Sequence, residues 1–263
     1  MRSKNFSILL ILSICLIPIT FFGINEYHTG QQLNVLAISG MNLRDAPKGN
    51  VLQKIPYGSR IKTLQAKSTT NPETIEGIQG NWVKVEYNGA TGFVFDGFLS
   101  TLPAPELNSE SLYKYASVNF RSISTRLPVA FLYYGDGMEE KTTQIFSNSR
   151  DTIVYLSESY HEGFKETVSI PNISMEEAYL IIRACFSKLY AETLSDLTNG
   201  DFPSDNYQPK ALKGYLLNGN EFHTEESGEE YDYYFCPLGF GCAYEVSIRQ
   251  HNNRVFIISG GGC

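Results

Sequence analysis

Cys185 has the clearest nucleophilic chemistry in this sequence of 263 residues, because a thiolate can cleave an amide bond when a histidine accepts its proton. It lies in the stretch RACFSK, on an apolar stripe with helical spacing, where cysteine usually acts as a small buried hydrophobe. The four histidines are scattered and form no H-x-H or H-E-x-x-H pattern; they are His28, His161, His223 and His251. We therefore predict that Cys185 packs in a core or forms a disulfide, and that the chain has no catalytic residue and no metal site.

Two other stretches have the composition of a ligand-binding loop but lack its pattern. Residues 225–232 (EESGEEYD) are acidic, yet they lack the alternating oxygen ligands of a calcium loop, so we interpret them as a solvated surface. Residues 260–262 are three glycines with no helix after them, so they do not form a phosphate-binding loop. We predict no cofactor.

The charge distribution divides the chain near residue 101. The formal net charge is −7, but residues 33–101 carry +2 and residues 102–263 carry −10. A general nucleic-acid binder needs a basic face, so this balance argues against nucleic acid as a partner. We predict domains at residues 33–101 and 106–263, separated by the proline-rich segment TLPAP at 101–105, a stiff hinge.

The first 25 residues predict export. Arg2 and Lys4 precede residues 7–24 (SILLILSICLIPITFFGI), which contain no charge. The run fits a cleaved signal peptide or an uncleaved anchor that crosses the membrane through residues 7–24. Lipidation at Cys15 is a third possibility. The expected location is periplasmic or extracytoplasmic, with anchoring to the inner membrane if the leader is retained.

Export allows disulfides between the remaining cysteines. Cys236 and Cys242 enclose a loop whose glycines permit a tight reversal, and we predict that they pair with each other. Cys185 and Cys263 could pair or remain thiols.

The strand pattern of residues 34–95 predicts a small barrel. Short apolar runs alternate with glycine and proline turns, and residues 82–87 (WVKVEY) and 90–95 (ATGFVF) flank Asn88-Gly89. Asn-Gly favours a type I′ turn, whose twist matches that of two antiparallel strands. Residues 65–81 are polar and predict a long excursion between strands.

Several motifs occur in the order found in one family, over residues 34–100. They are NLRDAP at 42–47, VL at 51–52, Ile55, YGS at 57–59, Ile61, WVKVEYNG at 82–89, TGFV at 91–94 and FL at 98–99. This order resembles the bacterial SH3-like (SH3b) domain. Phe93 replaces the tryptophan usual in that family, and the 65–81 excursion is longer than is common. The resemblance implies a small β-barrel that binds cell-wall peptides or an envelope protein in a groove.

Aromatic side chains supply such a groove, since flat rings suit peptide and sugar faces. The candidate ligand-binding residues are Tyr57, Trp82, Tyr87, Phe93 and Phe98. Alternation along the strand places Trp82 on the face opposite Val83 and Val85, so one set packs inward and the other is available.

Residues 106–263 predict an α+β domain with an antiparallel sheet and one main helix, and no family is recognised there. The helix begins at the capping box of Ser174 and Glu177 and continues to about Ala191. Leu112 to Ile123 could contain a strand.

The whole chain is therefore expected to be mainly β: an export or anchor segment, an SH3-like barrel, and the α+β domain. We expect a non-enzymatic envelope protein that binds wall peptides or a protein partner. One alternative is a cell-wall hydrolase or modifying enzyme with its centre in the C-terminal domain. Another is a sensor or inhibitor whose acidic domain meets a basic partner.

Overall fold

The fold is seen in a computed structural model of the chain. It describes residues 27–66, 72–76, 78–134, 137–148, 151–160, 163–188, 223–224, 230–231, 233–235, 243–251 and 253–262. Among these residues, no helix is long and apolar enough to cross a membrane. The predicted export segment and the predicted Cys236–Cys242 pair lie outside the described residues.

The described residues up to Ser100 form a small barrel of short antiparallel strands. The strands are β1 Gln32–Val35, β2 Met41–Arg44, β3 Val51–Ile55, β4 Arg60–Thr63, β5 Glu73–Ile75, β6 Ile78–Gly80, β7 Trp82–Tyr87, β8 Ala90–Phe95 and β9 Leu99–Ser100. Seven of them hydrogen-bond in the order β3-β2-β8-β7-β4-β1-β9, and β5 pairs with β6 separately. A 3-10 turn at Asp96–Phe98 connects β8 to β9. This arrangement confirms the predicted barrel.

The β7–β8 hairpin forms as the Asn-Gly turn predicts. Asn88 and Gly89 have φ of 49° and 78°, the left-handed values that a type I′ turn requires at both central positions. Tyr87 faces Ala90 and Trp82 faces Phe95 across the ladder. Val83 and Val85 are fully buried, so this register places the valine side of the hairpin in the core and the Trp82 side outward.

The predicted excursion contains a hairpin of its own. Strands β5 and β6 pair within it, and Ile78 is buried. The hairpin packs so closely on the 3-10 turn that a side chain at Gly80 would lie 2.6 Å from the backbone nitrogen of Gly97. Glycine is therefore required at this contact.

The described residues of the second part of the chain form an eight-stranded antiparallel sheet, a separate strand pair and two helices. The strands are β10 Arg121–Ser122, β11 Leu127–Tyr134, β12 Gly137–Ser147, β13 Thr152–Tyr160, β14 Gly163–Pro171, β15 His223–Thr224, β16 Glu230–Tyr231, β17 Tyr233–Phe235, β18 Ala243–His251 and β19 Arg254–Gly262. The order in the sheet is β10-β12-β13-β14-β19-β18-β17, with β11 on β12; β15 and β16 pair by themselves. The antiparallel α+β arrangement is confirmed.

The strand expected within residues 112–123 is the two-residue β10, Arg121–Ser122, whereas most of this segment is helix α1, Leu112–Asn119, which was not predicted. The Ser111 side chain accepts a hydrogen bond from the backbone of Lys114 and caps the helix. Leu112, Tyr115 and Ala116 are buried at helical spacing, a pattern that alternation along a strand does not produce.

Helix α2, Met175–Cys185, begins at the predicted capping box of Ser174 and Glu177. Phe186 interrupts the helix with φ of −117° and ψ of 35°, and residues 187–188 are helical again; residues 189–191 of the predicted stripe lie outside the described residues. The helix is buried along most of its length, since it contacts both the 3-10 turn of the barrel and strands β18 and β19 of the sheet.

One hydrophobic core extends from the barrel into the second sheet. The segment expected to act as a hinge is tied down: the Asn34 side chain donates to the Leu102 carbonyl at 2.8 Å, and the Tyr57 hydroxyl donates to the Pro105 carbonyl at 2.7 Å. The carboxylate of Glu177, fully buried, accepts from the Ser100 hydroxyl at 2.8 Å. These contacts hold helix α2 and the segment 101–105 against the barrel.

Candidate functional site

The five aromatic residues predicted to bind a ligand do not form one cluster. Trp82 and Tyr87 lie at opposite ends of strand β7, about 16 Å apart at the usual rise per residue. Phe93 lies between them on β8, where it faces Lys84. Tyr57 lies near the Tyr87 end, and Phe98 lies in the core.

Tyr57 and Tyr87 take part in holding the barrel together. The Tyr57 hydroxyl is bonded to the linker at Pro105, and burial raises the pKa of this phenol above its ordinary value. The Tyr87 hydroxyl lies 3.4 Å from the Ser59 hydroxyl. Both rings pack against the hydrophobic core. Their structural contacts explain why these aromatics are present without any ligand.

Phe98 is also explained by packing. It is 7% exposed, and its ring centroid lies 5.7 Å from that of Phe95. Phe95 in turn meets Trp82 edge to face at 6.2 Å. The three rings form a line from the core to the surface, and only Trp82, at its end, is partly exposed.

Trp82 and Phe93 share the outward face of the β7–β8 hairpin, which we call the Trp82–Phe93 face. In the ladder Trp82 lies opposite Phe95 and Lys84 opposite Phe93. Trp82 and Phe93 are therefore diagonal neighbours, at a separation of about 7–8 Å. Both are half-buried, and Lys84 between them is exposed. This is the one pair of the five candidates that the fold brings together at the surface.

The Trp82 indole N–H is buried and finds no hydrogen-bond acceptor among the described residues. A buried donor without an acceptor costs free energy, so such groups usually have a partner. The neighbouring Glu73 carboxylate is close enough for the indole to help lower its pKa, without meeting hydrogen-bond geometry. An acceptor on a bound ligand would satisfy this donor.

Charged side chains border the Trp82–Phe93 face. Lys48, in the turn between β2 and β3, forms an ion pair of 3.0 Å with Glu73 of β5. This lysine is the main cause of a lowered pKa at Glu73. Arg44 lies opposite Phe93 across the β2–β8 ladder and donates to the Gly49 carbonyl at 2.6 Å. With Lys84, and with Glu86 two residues further along the same face of β7, the border has three cations and two carboxylates.

The contribution of β5 and β6 to this border was missed by the sequence analysis. Residues 65–81 were expected to form a long excursion between strands, but nothing in their composition showed that a hairpin would place Glu73 beside Trp82. The stretch from Glu73 to the buried Ile78 is too short for its apolar residues to predict a strand. Glu76 at the same hairpin also pairs with Arg183 of α2 at 3.1 Å.

Cys185, the candidate nucleophile, is a free thiol in the core. Burial raises its pKa to about 12, with a smaller opposing effect from a hydrogen bond to Ser109. A thiol needs a lowered pKa to act as a nucleophile near neutral pH. The described residues also contain no group of His, Cys, Asp and Glu that could hold a metal ion.

The first part of the chain is thus a small antiparallel barrel with half-buried aromatic rings on its Trp82–Phe93 face. Residues 39–100 match the family model of the bacterial SH3 domain, roughly a quarter of the chain. The match confirms the resemblance inferred from the motifs of residues 34–100. No curated protein and no solved structure matches the chain.

Proposed function

We propose that this protein is an exported, non-enzymatic component of the bacterial cell envelope that binds peptidoglycan peptides through its SH3 domain. The leader at residues 7–24 supports export. The SH3 domain match supports a binding role, since such domains are commonly associated with the cell wall. A protein partner in the envelope is the other ligand to consider.

The observation that carries the proposal is the Trp82–Phe93 face. Aromatic rings contribute most to binding when they are half-buried, because the packed part fixes the ring while the free part contacts the ligand. Trp82 is fixed by Phe95 and has a free indole donor. A peptide backbone supplies both a flat apolar surface and carbonyl acceptors.

Charge supports an anionic wall polymer over a cationic one. Arg44, Lys48 and Lys84 border the face, and Glu73 is paired with Lys48. Carboxylates on wall peptides would meet these cations. Because the cations are near the surface, this part of the binding should weaken as salt rises.

The position of Cys185 supports a role without catalysis. A wall peptidase of the cysteine type would need its thiolate at the surface beside a histidine. Cys185 is buried on α2 and its pKa is raised, so it suits packing.

The experiment is a binding assay of the full chain on purified, insoluble peptidoglycan, with Trp82→Ala and Phe93→Ala beside the native protein. We expect Trp82→Ala to weaken retention by about 30-fold, the effect of losing an aromatic residue at the centre of an interface. Leu52→Ala is the matched control, because Leu52 is an exposed apolar residue of the same barrel, 52% exposed on β3. It should change retention less than about twofold.

Thermal unfolding of each variant separates lost binding from lost folding. Equal retention of the native protein and of folded Trp82→Ala would refute binding at this face. Absence of retention of the native protein would refute peptidoglycan as the ligand.

A further inference from the structure

A group of polar and aromatic side chains lies at the β10–β12 edge of the second sheet, outside the barrel, and has no role in the proposed function. Tyr113 of α1 packs on Tyr155 of β13 at 5.0 Å and on Phe146 of β12 at 6.4 Å. Tyr155 and Phe146 are buried, whereas Tyr113 is half-buried. The rings therefore form a rigid floor that reaches the surface at Tyr113.

Arg126 lies over this floor in a fixed orientation. Its guanidinium carbon is 5.5 Å from the centroid of the Tyr113 ring and 5.6 Å from that of Tyr155. Its Nε donates to the Thr142 hydroxyl at 2.8 Å. A guanidinium held by two rings and one hydrogen bond has lost most of its conformational freedom before any ligand arrives.

The two terminal nitrogens of Arg126 have no acceptor among the described residues, and no described carboxylate forms an ion pair with it. The residue is exposed, so these donors are accessible. The nearest acid of the cluster, Glu166, is already engaged: one oxygen accepts from the Tyr155 hydroxyl at 2.8 Å, and the other from the backbone of Leu112 at 3.1 Å.

Gln144 gives a second, independent observation. It follows Thr142 on the same face of β12 and lies opposite Tyr155 in the ladder. The side chain is 8% exposed; its amide nitrogen donates to the Ser122 hydroxyl and the Ser124 carbonyl, at 2.9 and 3.4 Å. Its carbonyl oxygen is buried and has no donor among the described residues. The cluster thus has free cationic donors and, about two residues along the strand, an unsatisfied acceptor.

We propose that this cluster is a binding site for the C-terminal carboxylate of a peptide. The fork of Arg126 matches the two oxygens of a carboxylate, and Gln144 accepts the peptide N–H that adjoins it. The last side chain of the peptide rests on Tyr113. A peptide terminus carries a carboxylate and an adjoining N–H, whereas a free carboxylic acid lacks the second group.

The test is calorimetric titration of the full chain with three probes: acetyl-Ala-Ala with a free carboxylate, acetyl-Ala-Ala amide, and acetate. We expect the free dipeptide to bind about tenfold or more tightly than its amide, because the amide cannot form the bidentate pair. It should also bind more tightly than acetate, which has no N–H. Equal binding of acetate and the dipeptide, lost in Arg126→Ala, would show a site for free carboxylates and overturn the peptide assignment.

Arg126→Lys keeps the charge but removes the fork, and should weaken dipeptide binding about tenfold. Arg121→Ala on neighbouring β10 is the matched control, since it removes an exposed arginine outside the cluster and should leave binding unchanged. Gln144→Met should lower the affinity for the dipeptide toward that for acetate without changing the latter. Thermal unfolding checks that each variant is folded. The proposal is overturned if no probe binds at millimolar concentration, if the amide binds as well as the acid, or if folded Arg126→Ala binds like the native chain.

Discussion

The outer face of the barrel hairpin and the part of the second sheet beneath helix α1 differ in how far their aromatic side chains are buried. The barrel directs Val83 and Val85 inward and leaves Trp82 and Phe93 half-buried on its outer face. The second sheet keeps Phe146 and Tyr155 buried beneath helix α1. The comparison teaches that a high aromatic content has two structural outcomes in one molecule: half-buried rings on the outer face of the barrel, and rings packed beneath a helix in the second sheet.

In the second region a helix also buries the candidate nucleophile. Helix α2 places Cys185 in the core, where its pKa is raised to about 12 from an ordinary value of 9.0. Near pH 8 the thiolate fraction of the folded protein is then about a thousandfold below that of an exposed cysteine. We expect alkylation of Cys185 by iodoacetamide to be slower by about this factor in the folded than in the unfolded chain, measured by peptide mass spectrometry.

The same shift has a consequence for stability, with a defined sign. A thiol whose pKa is raised by folding favours the folded state while it is protonated, and that contribution is lost as the pH rises from about 9 to 12. Fast alkylation of Cys185 in the folded protein at pH 8 would contradict the burial of its thiol and would make Cys185 a candidate nucleophile again.

The next largest expected effect is on the free energy of unfolding, at the contact between the barrel and helix α2. The Glu177 carboxylate accepts from the Ser100 hydroxyl, from the backbone of Thr101 at 3.0 Å and from the backbone of Ser174 at 3.3 Å. Glu177→Ala leaves these donors buried without a partner. We expect the free energy of unfolding to fall by about 3 kcal/mol, since hydrogen bonds to charged groups contribute about 1.5–3 kcal/mol each.

Glu176→Ala is the matched control for this junction. Glu176 precedes Glu177 in the first turn of α2, so its loss removes a favourable charge at the helix N-terminus, worth about 0.3–1 kcal/mol. Urea unfolding of both variants measures the difference. Similar losses for the two variants would show that Glu177 acts only as part of the helix and does not join the regions.

A smaller effect on stability is expected at the segment 101–105, which links the barrel to the second sheet. Tyr57→Phe removes the hydrogen bond of 2.7 Å to Pro105, and we expect a loss of about 1 kcal/mol in the free energy of unfolding. Tyr87→Phe removes only the 3.4 Å contact with Ser59 and should cost less. Retention on peptidoglycan should be unchanged in Tyr57→Phe. A clear loss of retention would place Tyr57 in the ligand site after all.

The smallest effect concerns the border of the Trp82–Phe93 face. Lys48→Ala should raise the pKa of Glu73 toward its ordinary value, because Lys48 is the main cause of its lowering. Carboxyl carbon NMR titration measures this, with Lys54→Ala as a control on the neighbouring strand β3. An unshifted Glu73 in Lys48→Ala would show that the ion pair is absent in solution.

The barrel could be predicted from sequence because its determinants are local. Asn88-Gly89 fixes the hairpin turn, and the alternation of Val83 and Val85 with Lys84 fixes its faces once one side is buried. Which aromatic side chains reach the surface depends on contacts that a short sequence motif does not encode. Phe98 is buried by Phe95, and Tyr57 bonds to a carbonyl 48 residues away, so neither could be separated from Trp82 by pattern.

For the second region, the α+β class could be predicted from the sequence, but its first helix and the full role of Glu177 could not, because both depend on contacts distant in sequence. Leu112–Asn119 is a helix whose Tyr113 packs on Tyr155 and Phe146, which lie later in the chain. Similarly, Glu177 was predicted only as half of a capping box. Its second role at Ser100 depends on a contact across 77 residues that no short motif encodes.

The most direct measurement of the central claim uses the fact that Trp82 is the only tryptophan in the sequence. Its fluorescence, excited where tyrosine does not absorb, reports on the Trp82–Phe93 face alone. We predict a saturable change in this emission when soluble peptidoglycan fragments are added to the full chain, with an affinity equal to that found by calorimetry. Calorimetric binding of the same fragments without any change in Trp82 emission, or no binding at all, would contradict the account.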